Sequence, residues 1–138
     1  MQPGYPIKMI ASLSLIGAVG ACELPQVGAP VPTGAEDFAT FCVSCHGPGG
    51  VGDGTLAADL PKAPADLTAI SARSGGTFPQ AQVMSKIWGY ARQNGQVMPA
   101  FAPLLEGDTV LFDSGDGIAT PTPLRLVQLM EYLEGLQP

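Results

Sequence analysis

Cys42-Val43-Ser44-Cys45-His46 limits what this chain can fold into more than any other stretch. The spacing answers a chemical demand. Two thiols add across the two vinyl groups of one haem, and the imidazole that follows at once is held under the iron as proximal ligand. A thioredoxin-type dithiol has the same Cys-x-x-Cys spacing. It sits at the start of a helix after a strand, however, and no strand pattern precedes Cys42. His46 is the only histidine in the sequence, and its place directly after Cys45 marks it as a ligand. The chain must therefore wrap a flat, rigid, apolar body.

The rest of the composition suits that task. A length of 138 residues gives room for one domain of ordinary size. With 18 glycines, 14 prolines and only 13% charged residues, short helices and long loops are expected. Such a chain has a small core of its own, and a covalent haem adds apolar area to bury. The formal net charge of −6 argues against nucleic acid and against adhesion to an anionic bilayer through charge. It suits docking against a basic surface.

Residues 1–21 read as a targeting segment. One cation, Lys8, precedes an apolar run over residues 9–21 that is too short to span a bilayer and right for a signal peptide. The run ends in Val19-Gly20-Ala21-Cys22, which resembles the bacterial lipobox, whose cysteine carries the lipid after cleavage. An unpaired exposed cysteine in an exported protein would be a liability, so a lipidated Cys22 is expected. All three cysteines are then used, and no disulfide is left. Residues 22–32 form a proline-rich tether whose last ten residues reach roughly 30 Å in extended polyproline II form. An uncleaved signal anchor would give the same topology. The folded domain is expected over residues 33–138.

Thr33 and Glu36 form a predicted capping box for a helix over residues 33–43, with Phe38 and Phe41/Cys42 turned inward. The glycine-rich stretch after His46 allows tight turns and close backbone approach to the macrocycle. It lacks the Lys and Ser/Thr of a phosphate-binding loop. A carbonyl near Pro64 or Ala65 is placed to accept the Nδ1–H of His46, and Leu67 to pack on the haem face. A second helix is expected over residues 79–94, stopped by Gly95, with Val83, Met84, Ile87, Trp88 and Tyr90 as core. Lys86 and Arg92 read as a solvated face or as propionate partners.

Met98-Pro99 is the second chemical landmark. A thioether on a proline-stiffened loop past a helix end is a ready sixth ligand opposite His46, and it raises the reduction potential. Met84 and Met130 fall inside predicted helices, and Met1 and Met9 in the leader. Residues 104–121 then separate this loop from the last helix. A small β-hairpin is expected, with strands at 109–112 and 118–120 around Asp113-Ser-Gly-Asp-Gly117. The two aspartates look like half of a calcium loop whose other ligands are missing, so a structural turn is the expectation. Thr122 and Pro123 are read as the cap and first position of a last helix.

Together, Phe38, Cys42-Val-Ser-Cys45-His46-Gly47, Pro64-Ala-Asp-Leu67, Val97-Met98-Pro99-Ala-Phe101 and Leu126-Val-Gln-Leu-Met-Glu-Tyr-Leu133 resemble a class I cytochrome c of the bacterial monohaem type. The resemblance implies an all-α fold of short helices and long loops wrapped around one haem c. Cys42 and Cys45 would carry the thioether bonds, and His46 and Met98 would be the axial ligands. It also implies crossed first and last helices, with Phe38 meeting Tyr132 or Met130. The function expected is a lipid-anchored periplasmic electron carrier, without enzymatic chemistry, serving redox protein partners that present a basic face. The alternatives are a fixed cytochrome subunit of a membrane oxidoreductase, or a haem-based ligand sensor or peroxidase-like enzyme.

Overall fold

Residues 30–90 and 97–138 are described by a computed structural model. The leader, Cys22 and most of the tether lie outside them, as do residues 91–96, which include the last four residues of the expected second helix and its stop at Gly95. Thr33 opens helix α1 (Gly34–Phe41) with the full capping box. The Glu36 amide donates to Thr33 Oγ1 at 3.3 Å, and the Thr33 amide to Glu36 Oε2 at 2.7 Å. These two bonds satisfy donors that a helix start leaves open. The Thr33 amide first, and then the Thr33 hydroxyl donating to Oε2 at 2.8 Å, hold the Glu36 carboxyl below its usual range. The helix does not run on to residue 43. It breaks at Cys42 and resumes as the single turn α2 (Val43–His46).

The last helix, α6 (Leu124–Gly135), crosses α1 at very short range. A Cβ on Gly34 would stand 2.0 Å from the Gln128 carbonyl oxygen, so only glycine lets the two backbones meet there. Phe38, 1% exposed, sits in the crossing with its ring 5.1 Å from that of Tyr132. Leu126, Val127, Leu129, Met130 and Leu133 bury the inner face of α6. Beside the crossing, Arg125 forks onto Asp37, which is 2% exposed, and its third nitrogen reaches the Leu104 carbonyl at 2.6 Å.

Helix α4 (Gln80–Trp88) packs on the other flank of α6, and Gln80 Nε2 donates to Glu134 Oε2 at 2.9 Å. Met84 and Ile87 are its buried residues. The helix ends at Gly89, whose φ of 104° is a left-handed cap, six residues before the stop expected at Gly95. Tyr90 therefore falls past the helix end and is 80% exposed, not core. Helix α3 (Ile70–Arg73) and the 3₁₀ turn before it are tied to the C-terminus by Gln137. Gln137 accepts from the Ser71 amide and donates to the Leu67 and Leu133 carbonyls.

After the short helix α5 (Ala102–Leu105), the chain folds as an antiparallel hairpin, β1 (Thr109–Phe112) with β2 (Thr120–Pro123). The first strand lies where expected. The second runs past 118–120 through two prolines, so Thr122 belongs to the strand and Pro123 caps α6. Asp113 Oδ1 accepts from the amides of Gly115, Asp116 and Gly117, at 2.9, 3.1 and 3.0 Å. Those bonds, with Gly115 first, hold the carboxyl low, and they make the turn structural, as expected. Among the described residues no group of three or more potential ligands is placed to hold a metal ion. The described fold is thus mostly helical with one small two-stranded sheet. None of its helices is long and apolar enough to cross a membrane.

Candidate functional site

A single helical turn exposes most of its backbone carbonyls, and α2 would be a poor platform without help. The loop that follows supplies the help. Gly52, Gly54 and Leu56 turn their amides back onto the carbonyls of His46, Cys45 and Ser44, at 2.8, 3.1 and 2.8 Å. The glycines are obligatory in this fold-back. A Cβ on Gly54 would lie 2.4 Å from the Ser44 oxygen, and one on Gly52 would lie 2.7 Å from the Pro64 oxygen. Close approach was expected of this loop, and what it approaches here is the motif's own backbone.

The fold-back brings residues 64–67 beside His46. Nδ1 of His46 lies 2.9 Å from the Ala65 carbonyl oxygen. A carbonyl only accepts, so Nδ1 is the protonated nitrogen and Nε2 keeps its lone pair free for a metal. Of the two carbonyls considered, Ala65 is the acceptor. Pro64 does not bond the ring, and its carbonyl packs against Gly52 instead.

His46 and Cys42 open onto a cavity of about 610 Å³. That size lies within the ~300–1,000 Å³ of cofactor sites. Its apolar wall includes Leu67, Ile70, Phe101, Leu129 and Leu133, and Met98 lines it together with His46. Arg73, Gln82 and Lys86 give it a polar margin. Cys45 is half-buried beside it without lining it, and both thiols are free. Burial raises the Cys42 thiol to about 11, with the charge of Asp37 adding to the effect. Phe38, Tyr132 and Pro64 stand behind the site and do not line it. The first two hold the helix crossing on which the wall is mounted.

The expected residues thus converge in part. Cys42, His46, Leu67 and Met98, up to 56 positions apart by their numbering, share one cavity. Phe101 and Ile70 are wall residues that motif reading missed. Phe101 had a readable signal, three residues after Met98. A planar apolar macrocycle with an iron centre suits this donor set: an imidazole nitrogen, a thioether, two thiols and a dry wall.

No curated protein and no solved structure matches this chain. The family model described as cytochrome C oxidase, cbb3-type, subunit III, matches residues 29–110, from just before α1 into β1. That span is well over half of the chain and contains the Cys-x-x-Cys-His motif, the fold-back loop and Met98. The chain therefore belongs to this family of c-type cytochrome domains, which bind haem c.

Proposed function

We propose that this protein is a single-haem electron carrier of the class I type, held by a lipid on Cys22 at the periplasmic side of a bacterial membrane. The observation that carries the reading is the pairing of His46, its ring oriented by Ala65, with Met98 in one cavity. Haem c supplies one-electron chemistry at iron. The chain does the rest. Cys42 and Cys45 would provide the thioether links, and His46 Nε2 and the Met98 sulfur would hold the iron. Leu67, Ile70, Phe101, Leu129 and Leu133 keep water out. With the iron held by these two protein ligands, the site would leave no place for a substrate, which suits electron transfer. The leader and Cys22 support export and lipidation through their sequence alone.

An optical spectrum of protein matured in a host that attaches haem c tests the reading. A six-coordinate low-spin spectrum is expected, with the weak red thioether band of the oxidised form lost in Met98→Ala and no response to carbon monoxide. A high-spin spectrum that responds to carbon monoxide would move the protein to the sensors or peroxidase-like enzymes. No haem at all would return Cys42 and Cys45 to thiol chemistry. Mass spectrometry of the membrane fraction, with diacylglycerol absent from Cys22, would sink the lipoprotein assignment.

A second reading has a specific observation behind it. The matching family is that of an oxidase subunit, so the same domain would serve as a fixed cytochrome subunit of a membrane oxidoreductase. Gel filtration of detergent extracts separates the two. A free carrier elutes near its own mass, and a fixed subunit with its complex.

A further inference from the structure

The hairpin that follows the cavity segment has one closed edge and one open edge, and the prolines decide which is which. Pro121 and Pro123 carry no N–H and stand opposite Leu111 and Thr109. The ladder must therefore run through Val110 with Thr122 and Phe112 with Thr120. The Leu124 amide continues it onto the Asp108 carbonyl at 2.7 Å. Antiparallel pairing alternates, so Thr109 and Leu111 turn their N–H and C=O groups away from β2. No described residue bonds them. The outer edge of β2 is blunted by its two prolines, while the outer edge of β1 is, among the described residues, an unpaired template.

The side chains match an occupant to that edge. Val110 and Phe112 are half-buried, Phe112 against the core, while Leu111 is 73% and Ile118 62% exposed. Residues 97–124 contain Glu106, Asp108, Asp113 and Asp116 and neither lysine nor arginine. A second copy of this chain is a poor occupant, because antiparallel pairing of two β1 edges brings the Asp108 end of one against the Asp113 end of the other. The Asp113 turn is already locked by three amides, so little ordering is left for binding.

We propose that the free edge of β1, with Leu111 and its four acidic neighbours, is a docking site for an extended segment of a basic protein that adds as a third strand. Main-chain bonds to Thr109 and Leu111 give the affinity, an apolar side chain meets Leu111, and lysines or arginines meet the carboxylates. That the basic protein is a redox partner rests on the electron-carrier reading. The strand addition does not.

A labelled peptide of alternating lysine and valine is the probe, titrated into the haem-loaded protein by fluorescence anisotropy. Saturable binding is expected, weakening as salt rises, with slowed amide exchange at Thr109 and Leu111. Leu111→Pro removes the outward N–H without touching a ladder bond, and should weaken binding about fivefold to tenfold. The combined Glu106→Gln, Asp108→Asn, Asp113→Asn and Asp116→Asn variant keeps every acceptor of the turn and removes four charges. It should flatten the salt dependence and lose at least about tenfold in affinity. Equal binding of a glutamate–valine peptide, protection only at other amides, or dimerisation without peptide binding would each overturn the proposal. The haem spectrum, recorded for every variant, reports on the electron-carrier reading separately, so either can fail alone.

Discussion

Gly34→Ala should cost this domain far more than a methyl group suggests. The added carbon would stand 2.0 Å from the Gln128 oxygen, 2.5 Å from its carbonyl carbon and 3.0 Å from the Leu129 nitrogen. Ordinary carbon contacts begin near ~3.5 Å, so α6 must retreat by roughly 1.5 Å at the crossing. All three obstacles are backbone atoms, and no side-chain rotation relieves them. The retreat opens the packing of Phe38 against Tyr132, Leu129 and Met130, the best-buried part of the core. Overpacking of this kind costs about 1–3 kcal/mol, and a rigid obstacle places it at the upper end. Alanine at the first helical position recovers about 0.4–1 kcal/mol through the unfolded chain. The net loss is then about 2–2.6 kcal/mol, or a fall in Tm of roughly 8–21 °C for a domain of this size. Gly135→Ala is the control, since Gly135 also lies in a helix but has nothing within 4 Å of its added carbon. It should be neutral or stabilising by up to ~1 kcal/mol. Urea unfolding of both haem-loaded variants, followed by far-UV circular dichroism, decides the matter. Two variants of equal stability would refute the claim that the crossing is set by backbone contact.

Three further outcomes follow from local chemistry. Arg125→Met leaves Asp37 buried without its partner and should cost roughly 3 kcal/mol, while adding Asp37→Asn should recover most of it; denaturant midpoints of the single and double variants check this. Glu36 has a lowered pKa in the folded chain, so its contribution is present above the ordinary glutamate value of 4.5 and is lost as pH falls through the lower folded value. Glu36→Gln should therefore be less stable than the parent near neutrality and converge with it in acid, as pH-dependent melting would show. Cys42 has its thiol raised from 9.0 to about 11, so the haem-free folded chain should hold ~100-fold less thiolate at this position than an ordinary thiol at pH 8. Iodoacetamide labelling resolved by peptide mapping should find Cys42 slow in the folded chain and fast in urea.

What the sequence disclosed and what it hid divide by range. The Cys42–His46 motif, the Thr33–Glu36 box and Met98-Pro99 are local patterns, each carrying its chemistry within a few residues. The end of α4 went unread because Gly89 sits in a run that stays apolar through Trp88 and Tyr90, and apolar spacing alone cannot say which glycine turns left-handed. The strand over Thr120–Pro123 was missed because proline reads as a breaker. Only the pairing reveals that both missing donors face outward. The Asp37–Arg125 pair joins residues 88 positions apart, and Gln137 reaches Leu67 across 70. Neither has a sequence signal, since a lone aspartate inside a helix, or a glutamine just past the end of one, looks like any surface residue.

The histidine that dominates the sequence is positioned in space almost entirely by main chain. Three consecutive carbonyls of its helical turn, Ser44, Cys45 and His46, are each taken by an amide of the loop that follows, and its ring is taken by the Ala65 carbonyl. Side chains contribute the wall, but the direction of Nε2 is set by backbone geometry that tolerates no Cβ at Gly52 or Gly54. An electron carrier benefits from a ligand that does not move when the charge on the metal changes, because any motion adds to the barrier. A ring held by a hydrogen bond to the Ala65 carbonyl, with Met98 on a proline-stiffened segment lining the same cavity, would meet that need in the proposed carrier. The glycines and prolines that make this chain look loosely organised are thus the residues that hold its one histidine still.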